Sequence, residues 1–147
     1  MFERMDHVAL SVSDMERAIA FYRDIMGFEV VFDREFGAPM ARLIAVPEAD
    51  VRIVHLRLGE AMLELFHYRM PAGRPRPESQ RQSDLGLTHL GFIVSDFCGT
   101  YAMLKEKGIA FVGEAVEIRP GVRVAYFYGT EGEVCEMREI LPAEGQS

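Results

Sequence analysis

The chain has 147 residues, 49% of them apolar, and a formal net charge of -7. This length and apolar content suit one domain, or two small fused modules, with a buried core. The scattered acidic residues disfavour nucleic acid as a partner because phosphate binding needs a basic face, and no apolar run reaches the roughly 18 residues of a membrane span.

The first half of the chain is predicted to form a strand, a helix and then further strands. The apolar stretch HVALSV begins at His7 and is typical of a strand with a buried face. In the helix that follows, Ser13 and Glu16 form a capping box, and Gly27 supplies the C-terminal stop. Four more strands are predicted, with turn residues between them: FEVVF, ARLIAV, VRIVHLRL and AMLELFHY.

The second half repeats this order. LTHLGFIV is a predicted strand, SDFCGTYAMLKEKG a helix, AFVGEAVEI one or two strands, and VRVAYFYG and EVCEMREI the last two. The predicted helices both begin at Ser-Asp and stop at a glycine, thirteen residues after the aspartate in one (Asp14 to Gly27) and twelve in the other (Asp96 to Gly108). The sequence therefore predicts a duplicated module.

The predicted boundaries place a first module at residues 1–70, a linker at 71–86, a second module at 87–141 and a tail at 142–147, all within one compact domain. The linker is rich in proline and arginine and poor in apolar residues. Its arginines either keep the chain soluble or form a mobile arm that closes over an anionic substrate.

A histidine and a glutamate recur at equivalent points of the repeat. His7 and His89 begin the first strand of each half, and Glu64 and Glu136 lie in the last strand, each between apolar neighbours. If the modules pack with rough twofold symmetry, these side chains converge, and a divalent cation would balance the two carboxylates. Mixed nitrogen and oxygen ligands suit Zn, Ni, Co, Mn or Fe(II), and four protein ligands leave two positions open on an octahedral ion.

Four stretches of the chain resemble the vicinal-oxygen-chelate superfamily, which includes glyoxalase I, methylmalonyl-CoA epimerase, extradiol dioxygenases, and fosfomycin- and bleomycin-resistance proteins. They are DHVALSVSDMERAIAFYRDIMGFEVV, AMLELF, THLGFIVSDF and VAYFYGTEGEVCEMREI, and the resemblance extends over about residues 5–140. It implies an α+β fold of two tandem βαβββ modules whose curved mixed sheets form a cleft around a metal. It places the metal ligands at His7, Glu64, His89 and Glu136.

One stretch departs from the family pattern. Many members read Asp-Pro-x-Gly-Asn before the last ligand strand, whereas this chain reads GTEGEVCE. The turn keeps Gly132, and the apolar pair between Glu133 and Glu136 fills the gap, so we expect Glu136 to stay in register.

Other candidate residues have competing interpretations. His67 could replace Glu64 as a ligand, but an odd separation puts it on the other strand face. His55 is expected to be a surface or core histidine. Tyr126 and Tyr128 are expected to pack rather than to catalyse. Arg123 is either a bidentate partner for a substrate carboxylate or a solvated strand-end residue.

The resemblance implies proton abstraction α to a carbonyl, on a substrate chelated through neighbouring oxygens, followed by lyase, isomerase or epimerase chemistry. Glu136 is the first choice as base and Glu64 the second. Glu48 either holds a place comparable to that of a second acid/base group in the epimerase or is a surface-loop glutamate. The alternatives are an Fe(II) extradiol-type dioxygenase, which Glu64 disfavours because that enzyme uses only three ligands, and a drug-sequestering protein of the bleomycin-resistance type.

We expect a cytoplasmic protein that acts on a small molecule. Cys98 and Cys135 fit no metal or redox spacing and read as reduced thiols, and the charged N-terminal residues lack the apolar region of an export signal. A homodimer is expected by analogy with the family.

Overall fold

The computed structural model describes residues 1–142. It divides the chain into two compact units, Met1–Pro75 and a second that begins at Arg76. Each unit contains one four-stranded sheet. Residues 143–147, most of the predicted tail, lie outside the described residues.

The helices and strands follow one plan in both units. The first unit contains β1 Val8–Ser11, α1 Met15–Ala20, β2 Glu29–Phe36, α2 Ala38–Leu43, β3 Asp50–Leu58 and β4 Ala61–Met70. Helix α1 continues into a π-helical segment, Phe21–Ile25. The second unit contains β5 His89–Ile93, α3 Phe97–Glu106, β6 Val116–Arg119, β7 Val122–Tyr128 and β8 Val134–Ile140.

The two sheets have the same strand order, β1-β4-β3-β2 and β5-β8-β7-β6. In each, the first strand pairs in parallel with the last, and the other neighbours are antiparallel. A parallel pair requires a crossover connection, which the long helix after the first strand begins. The duplicated α+β module predicted from the sequence is confirmed.

Each sheet has one face packed with apolar side chains. On β4, Leu63 and Leu65 are buried while Glu64 between them faces the other way, and on β8 Cys135 and Met137 flank Glu136 in the same manner. Helix α1 buries Met15, Ala18 and Ile19 and contacts β4. Burial of one such large apolar side chain stabilises the fold by roughly 1.5–3 kcal/mol. The face that bears Glu64 and Glu136 is therefore not part of this apolar packing.

The cap of the first long helix differs from the prediction. Asp14, rather than Ser13, caps α1, because its side chain accepts a hydrogen bond from the Arg17 amide. Asp96 caps α3 in the same way, through the Gly99 amide. An aspartate acceptor two or three positions before the free amides is as effective as a serine. The helical stops at Gly27 and Gly108 are confirmed, with φ of 81° and 75°.

The prediction of a strand at ARLIAV is wrong, because most of this stretch lies in helix α2 and the turn after it. Pro39 lies in the first turn of α2, after Gly37 at the N-cap, and its fixed φ suits a helix start. None of the residues of α2 is buried, so no packing selects a strand there. No helix within residues 1–142 is long and apolar enough to cross a membrane.

Candidate functional site

The first unit brings His7 and Glu64 together. The parallel register of β1 and β4 sets Ala9 opposite Glu64, so His7, two residues earlier, lies on the same face. His7 Nε2 is 3.4 Å from Glu64 Oε2. The Glu64 side chain is only 14% exposed, against 42% for His7, so the carboxylate needs polar partners on this face.

The second unit repeats the pair with His89 and Glu136. Gly91 lies opposite Glu136 in the register of β5 and β8, as Ala9 does opposite Glu64. His89 Nε2 is 2.9 Å from Glu136 Oε2, and the Glu136 side chain is 13% exposed. A residue with little or no side chain beside each carboxylate leaves room next to it.

The other ring nitrogen of each histidine is held by the preceding residue. His7 Nδ1 lies 3.2 Å from Asp6 Oδ2, and His89 Nδ1 lies 2.9 Å from Thr88 Oγ1. Such contacts fix the orientation of an imidazole, and histidines that bind metals almost always have one. In both units Nε2 is therefore turned toward the carboxylate.

A third side chain approaches each carboxylate from the neighbouring strand. His55 lies opposite Glu64 in the β3–β4 register, and its Nε2 is 2.7 Å from Glu64 Oε1. Tyr126 lies opposite Glu136 in the β7–β8 register and donates its hydroxyl to Glu136 Oε2 at 3.4 Å. Burial, and then the charge of Glu136, raises the pKa of Tyr126. His55, expected to be a surface or core histidine, thus has Glu64 as a partner, and Tyr126 makes a hydrogen bond in addition to packing.

The spacing of the two histidine–glutamate pairs fits donors that share a metal ion. With metal–donor bonds of about 2.1 Å, two adjacent donors lie about 3.0 Å apart on an octahedral ion and about 3.4 Å apart on a tetrahedral one. The distances between Nε2 and the carboxylate oxygen are 3.4 Å for His7–Glu64 and 2.9 Å for His89–Glu136. Within residues 1–142, however, no three His, Cys, Asp or Glu side chains already form a metal-binding group. Each unit thus offers two donors.

Four further candidates lie elsewhere. His67 is on the opposite face of β4 from Glu64, and Arg123 is on the opposite face of β7 from Tyr126, 3.7 Å from Glu139. Tyr128 is exposed. Glu48 is also exposed, with a φ of 59°, and lines a shallow pocket of about 660 Å³ beside α2. None of the four histidine and glutamate residues paired above lines that pocket.

The turn before β8, part of the stretch that departs from the family pattern, is stabilised by Glu133. The buried Glu133 accepts hydrogen bonds from the amides of Thr130 and Glu131, at 3.1 and 2.7 Å. A side-chain carbon at Gly129 would overlap this carboxylate. With the turn held in this way, Glu136 occupies the same register in its sheet as Glu64 does.

Comparisons with known proteins agree with this architecture. The profile of the Glyoxalase/Bleomycin resistance protein/Dioxygenase superfamily matches residues 4–137. The chain is 32% identical over 118 residues to mitochondrial methylmalonyl-CoA epimerase from Homo sapiens, covering 78% of this chain and 60% of the relative, so it spans about three fifths of that protein's length. It is 31% identical over 154 residues to 2-epi-5-epi-valiolone epimerase from Actinomyces sp., covering 96% and 83%.

Among solved structures, a glyoxalase family protein from Bacillus cereus superposes with a TM-score of 0.87, covering 96% of this chain and 97% of the other. Its sequence identity is 23%, so it supports the fold alone. Two tandem modules, the same histidine and glutamate in each, and a profile match over nearly the whole chain show that this protein belongs to the Glyoxalase/Bleomycin resistance protein/Dioxygenase superfamily.

Proposed function

We propose that the protein is a metal-dependent isomerase or epimerase that removes a proton α to a carbonyl of a small molecule. Two relatives of about 30% identity are epimerases. The observation that carries the proposal is the duplicated pair of a histidine, fixed through Nδ1, and a half-buried glutamate. We assign the metal ligands to His7, Glu64, His89 and Glu136, and the ion to Zn, Ni, Co, Mn or Fe(II).

A divalent ion bound by these residues would polarise the substrate carbonyl and stabilise the negative charge that develops as the α-proton leaves. The protein must then supply a base within hydrogen-bond reach of that carbon. A low dielectric around half-buried carboxylates strengthens these interactions.

Glu136 is better placed than Glu64 to act as the base. Glu64 is held at both oxygens, by His7 at Oε2 and by His55 at Oε1. The contacts of Glu136 with His89 and Tyr126 are both made by Oε2. In the described part of the chain, Glu136 Oε1 thus has no hydrogen-bond donor, and this oxygen is available to accept a proton.

The test is exchange of the α-proton in D2O, followed by proton NMR after loading the protein with each metal in turn. Methylmalonyl-CoA, the methylglyoxal–glutathione hemithioacetal and catechols are the trial substrates. We expect exchange with one of the first two, and a 10²- to 10⁴-fold lower rate in Glu136→Gln. Glu60→Gln, which makes the same change at an exposed turn, should keep the wild-type rate.

Two results would contradict the proposal. Ring cleavage of a catechol with Fe(II), without proton exchange, would indicate a dioxygenase. Protein that binds no metal but holds an apolar ligand tightly would indicate sequestration. We also propose that the protein is cytoplasmic and forms a homodimer. For the dimer, light scattering after gel filtration should give twice the chain mass of 16.6 kDa.

A further inference from the structure

We propose that Arg138 binds a carboxylate group of the substrate, beside the carboxylate that removes the proton. This inference rests on the proposed function and names its substrate class. Arg138 lies on β8 two residues after Glu136, so both side chains project from the same face. Neighbouring side chains on one strand face are about 7 Å apart, so one small molecule can reach both.

The environment of Arg138 is that of a positioned binding group. In the sheet register it lies between Ile93 of β5 and Val124 of β7. These two apolar residues are its cross-strand neighbours, and Arg138 itself is half-buried, with Nε inaccessible to solvent. The charge of Arg138 also acts on the hydroxyl of Tyr126, where it opposes the effect of burial on the pKa of that group. The Arg138 charge thus reaches the Glu136–Tyr126 contact, as expected for a neighbour on the same strand face.

Among the described arginines, Arg138 is distinguished by being half-buried and yet without a side-chain partner. Its buried Nε has no hydrogen-bond acceptor among residues 1–142, and no ion pair with Glu136 or any other described carboxylate is formed. By contrast, Arg52 and Arg69 each bind two carboxylates. Arginines that lack a side-chain partner elsewhere in the described residues are exposed to water: Arg42, Arg74, Arg81 and Arg119. A buried donor without an acceptor lowers the stability of the fold. A substrate oxygen that accepts its hydrogen bond would remove this penalty.

The repeat shows that the fold does not require a cation here. The equivalent residue of the first unit, two after Glu64, is Phe66, which lies between Ser11 and Ile53 in the same register. An aromatic side chain fills that position without an unsatisfied donor. The arginine is thus specific to the second unit, whose glutamate has the free oxygen.

The chemistry of the guanidinium defines the ligand. Its planar set of donors matches a carboxylate, to which it can bind through two parallel hydrogen bonds. Because Arg138 and Glu136 are neighbours, the carboxylate must lie within a few bonds of the carbon that loses its proton. The substrate class is therefore a small acid that carries a second carbonyl group close to its carboxylate.

The experiment compares one acid with its neutral counterpart. The probes are the N-acetylcysteamine thioester of methylmalonic acid and the methyl ester of that compound. For each, the dissociation constant is measured by calorimetry, and α-proton exchange by NMR, with wild type, Arg138→Met, Arg138→Lys and Arg23→Met. Arg23 is a matched control because it makes the same charge change at an exposed site, where it pairs with Asp24.

We expect Arg138→Met to weaken binding of the acid by about 10- to 100-fold, as loss of a charged hydrogen bond does, and to change binding of the ester by less than about twofold. Arg138→Lys should lie between, and Arg23→Met should match wild type. Equal losses on acid and ester, or failure of the wild type to bind the acid, would overturn the inference.

The two proposals can fail separately. If the wild type exchanges the α-proton and Arg138→Met weakens binding of acid and ester equally, the carboxylate assignment is wrong and the reaction stands. If no exchange occurs but binding of the acid depends on Arg138, the assignment stands without the reaction. A second pair of probes, the coenzyme A thioesters of the same acid and ester, tests a phosphate partner. If Arg138→Met weakens binding of both coenzyme A thioesters and of neither N-acetylcysteamine thioester, Arg138 binds phosphate and the carboxylate assignment is wrong.

Discussion

At the scale of single residues, the two glutamates of the repeat have different surroundings. Glu64 lies between the imidazoles of His7 and His55, whereas Glu136 has one imidazole and the phenol of Tyr126. A second imidazole holds a carboxylate more firmly than a phenol at 3.4 Å, because its hydrogen bond is 2.7 Å long. We therefore propose that His55 is a positioning residue: it holds Oε1 of Glu64, and Oε2, which faces His7, is the oxygen that would bind a metal.

We expect His55→Ala to weaken metal binding by about 10- to 100-fold, as loss of a partner that orients a ligand does. Calorimetric titration with Zn²⁺ and Mn²⁺ measures this independently of catalysis. His55→Gln should restore part of the affinity, because its amide can still donate to Glu64.

The matched control is His67→Ala, on the opposite face of β4. Its metal affinity should equal that of the wild type. If His67→Ala loses the metal and His55→Ala does not, then His67 is the ligand and our assignment of this face is wrong.

The residues of the site were predictable to different degrees. His7, His89, Glu64 and Glu136 could be found because the repeat marks them twice, and each pair is formed. Their assignment to a metal remains a prediction. The partner role of His55 depends on the register of β3 against β4, and the spacing within one strand carries no information on the strand opposite.

At the scale of secondary-structure elements, Arg52 connects three parts of the first unit. From β3 it binds Asp33 of β2 at 2.7 Å and Glu16 of α1 at 2.6 Å. Its hydrogen bond holds the pKa of Asp33 below the usual value for an aspartate. The stabilisation from Asp33 is therefore complete above the ordinary aspartate pKa, near 4, and is lost as the pH falls through the lower pKa of the folded state.

We expect Asp33→Asn to lower the free energy of unfolding by up to about 1 kcal/mol at pH 7, because the pair is partly exposed and screened by solvent. The difference from wild type should shrink toward zero at pH values below the folded-state pKa. Urea unfolding at a series of pH values measures it, with Glu60→Gln as control. A difference that grows as the pH falls would contradict this account of Arg52.

Most helices and strands could be predicted from the periodicity of apolar residues and from the glycines that end helices, but helix α2 could not. The six letters ARLIAV are as apolar as the neighbouring strands, and only the Gly37-Ala-Pro39 sequence before them indicates a helix start. A short apolar run is ambiguous unless packing decides it, and α2 buries none of its residues.

At the scale of the whole molecule, the chain is two copies of one βαβββ plan with different details. The two units have the same sheet order and the same parallel pair, and both long helices are followed by a glycine with positive φ. Only the first unit has an inserted helix between its second and third strands. The repeat predicts that the same substitution at equivalent backbone positions of the two units lowers the free energy of unfolding by similar amounts.

Gly27→Ala and Gly108→Ala should therefore lower the free energy of unfolding by similar amounts, about 1–2 kcal/mol each, because a side chain disfavours the left-handed conformation. Nothing lies within 4 Å of a side-chain carbon built at either site, so steric overlap does not contribute. Thermal and urea unfolding give the values, and Gly73→Ala, without positive φ, is the control. A large difference between the two variants would mean that the units do not share this device.

The turn that carries Glu133 has a consequence for how related sequences vary. Its carboxylate occupies the space where a side chain at Gly129 would lie, so a larger residue at 129 would displace it and release the amides of Thr130 and Glu131. Positions 129 and 133 are therefore expected to change together among homologues. An engineered library that randomises one of them alone is expected to disturb the turn before β8, and with it the strand that carries Glu136, from several residues away.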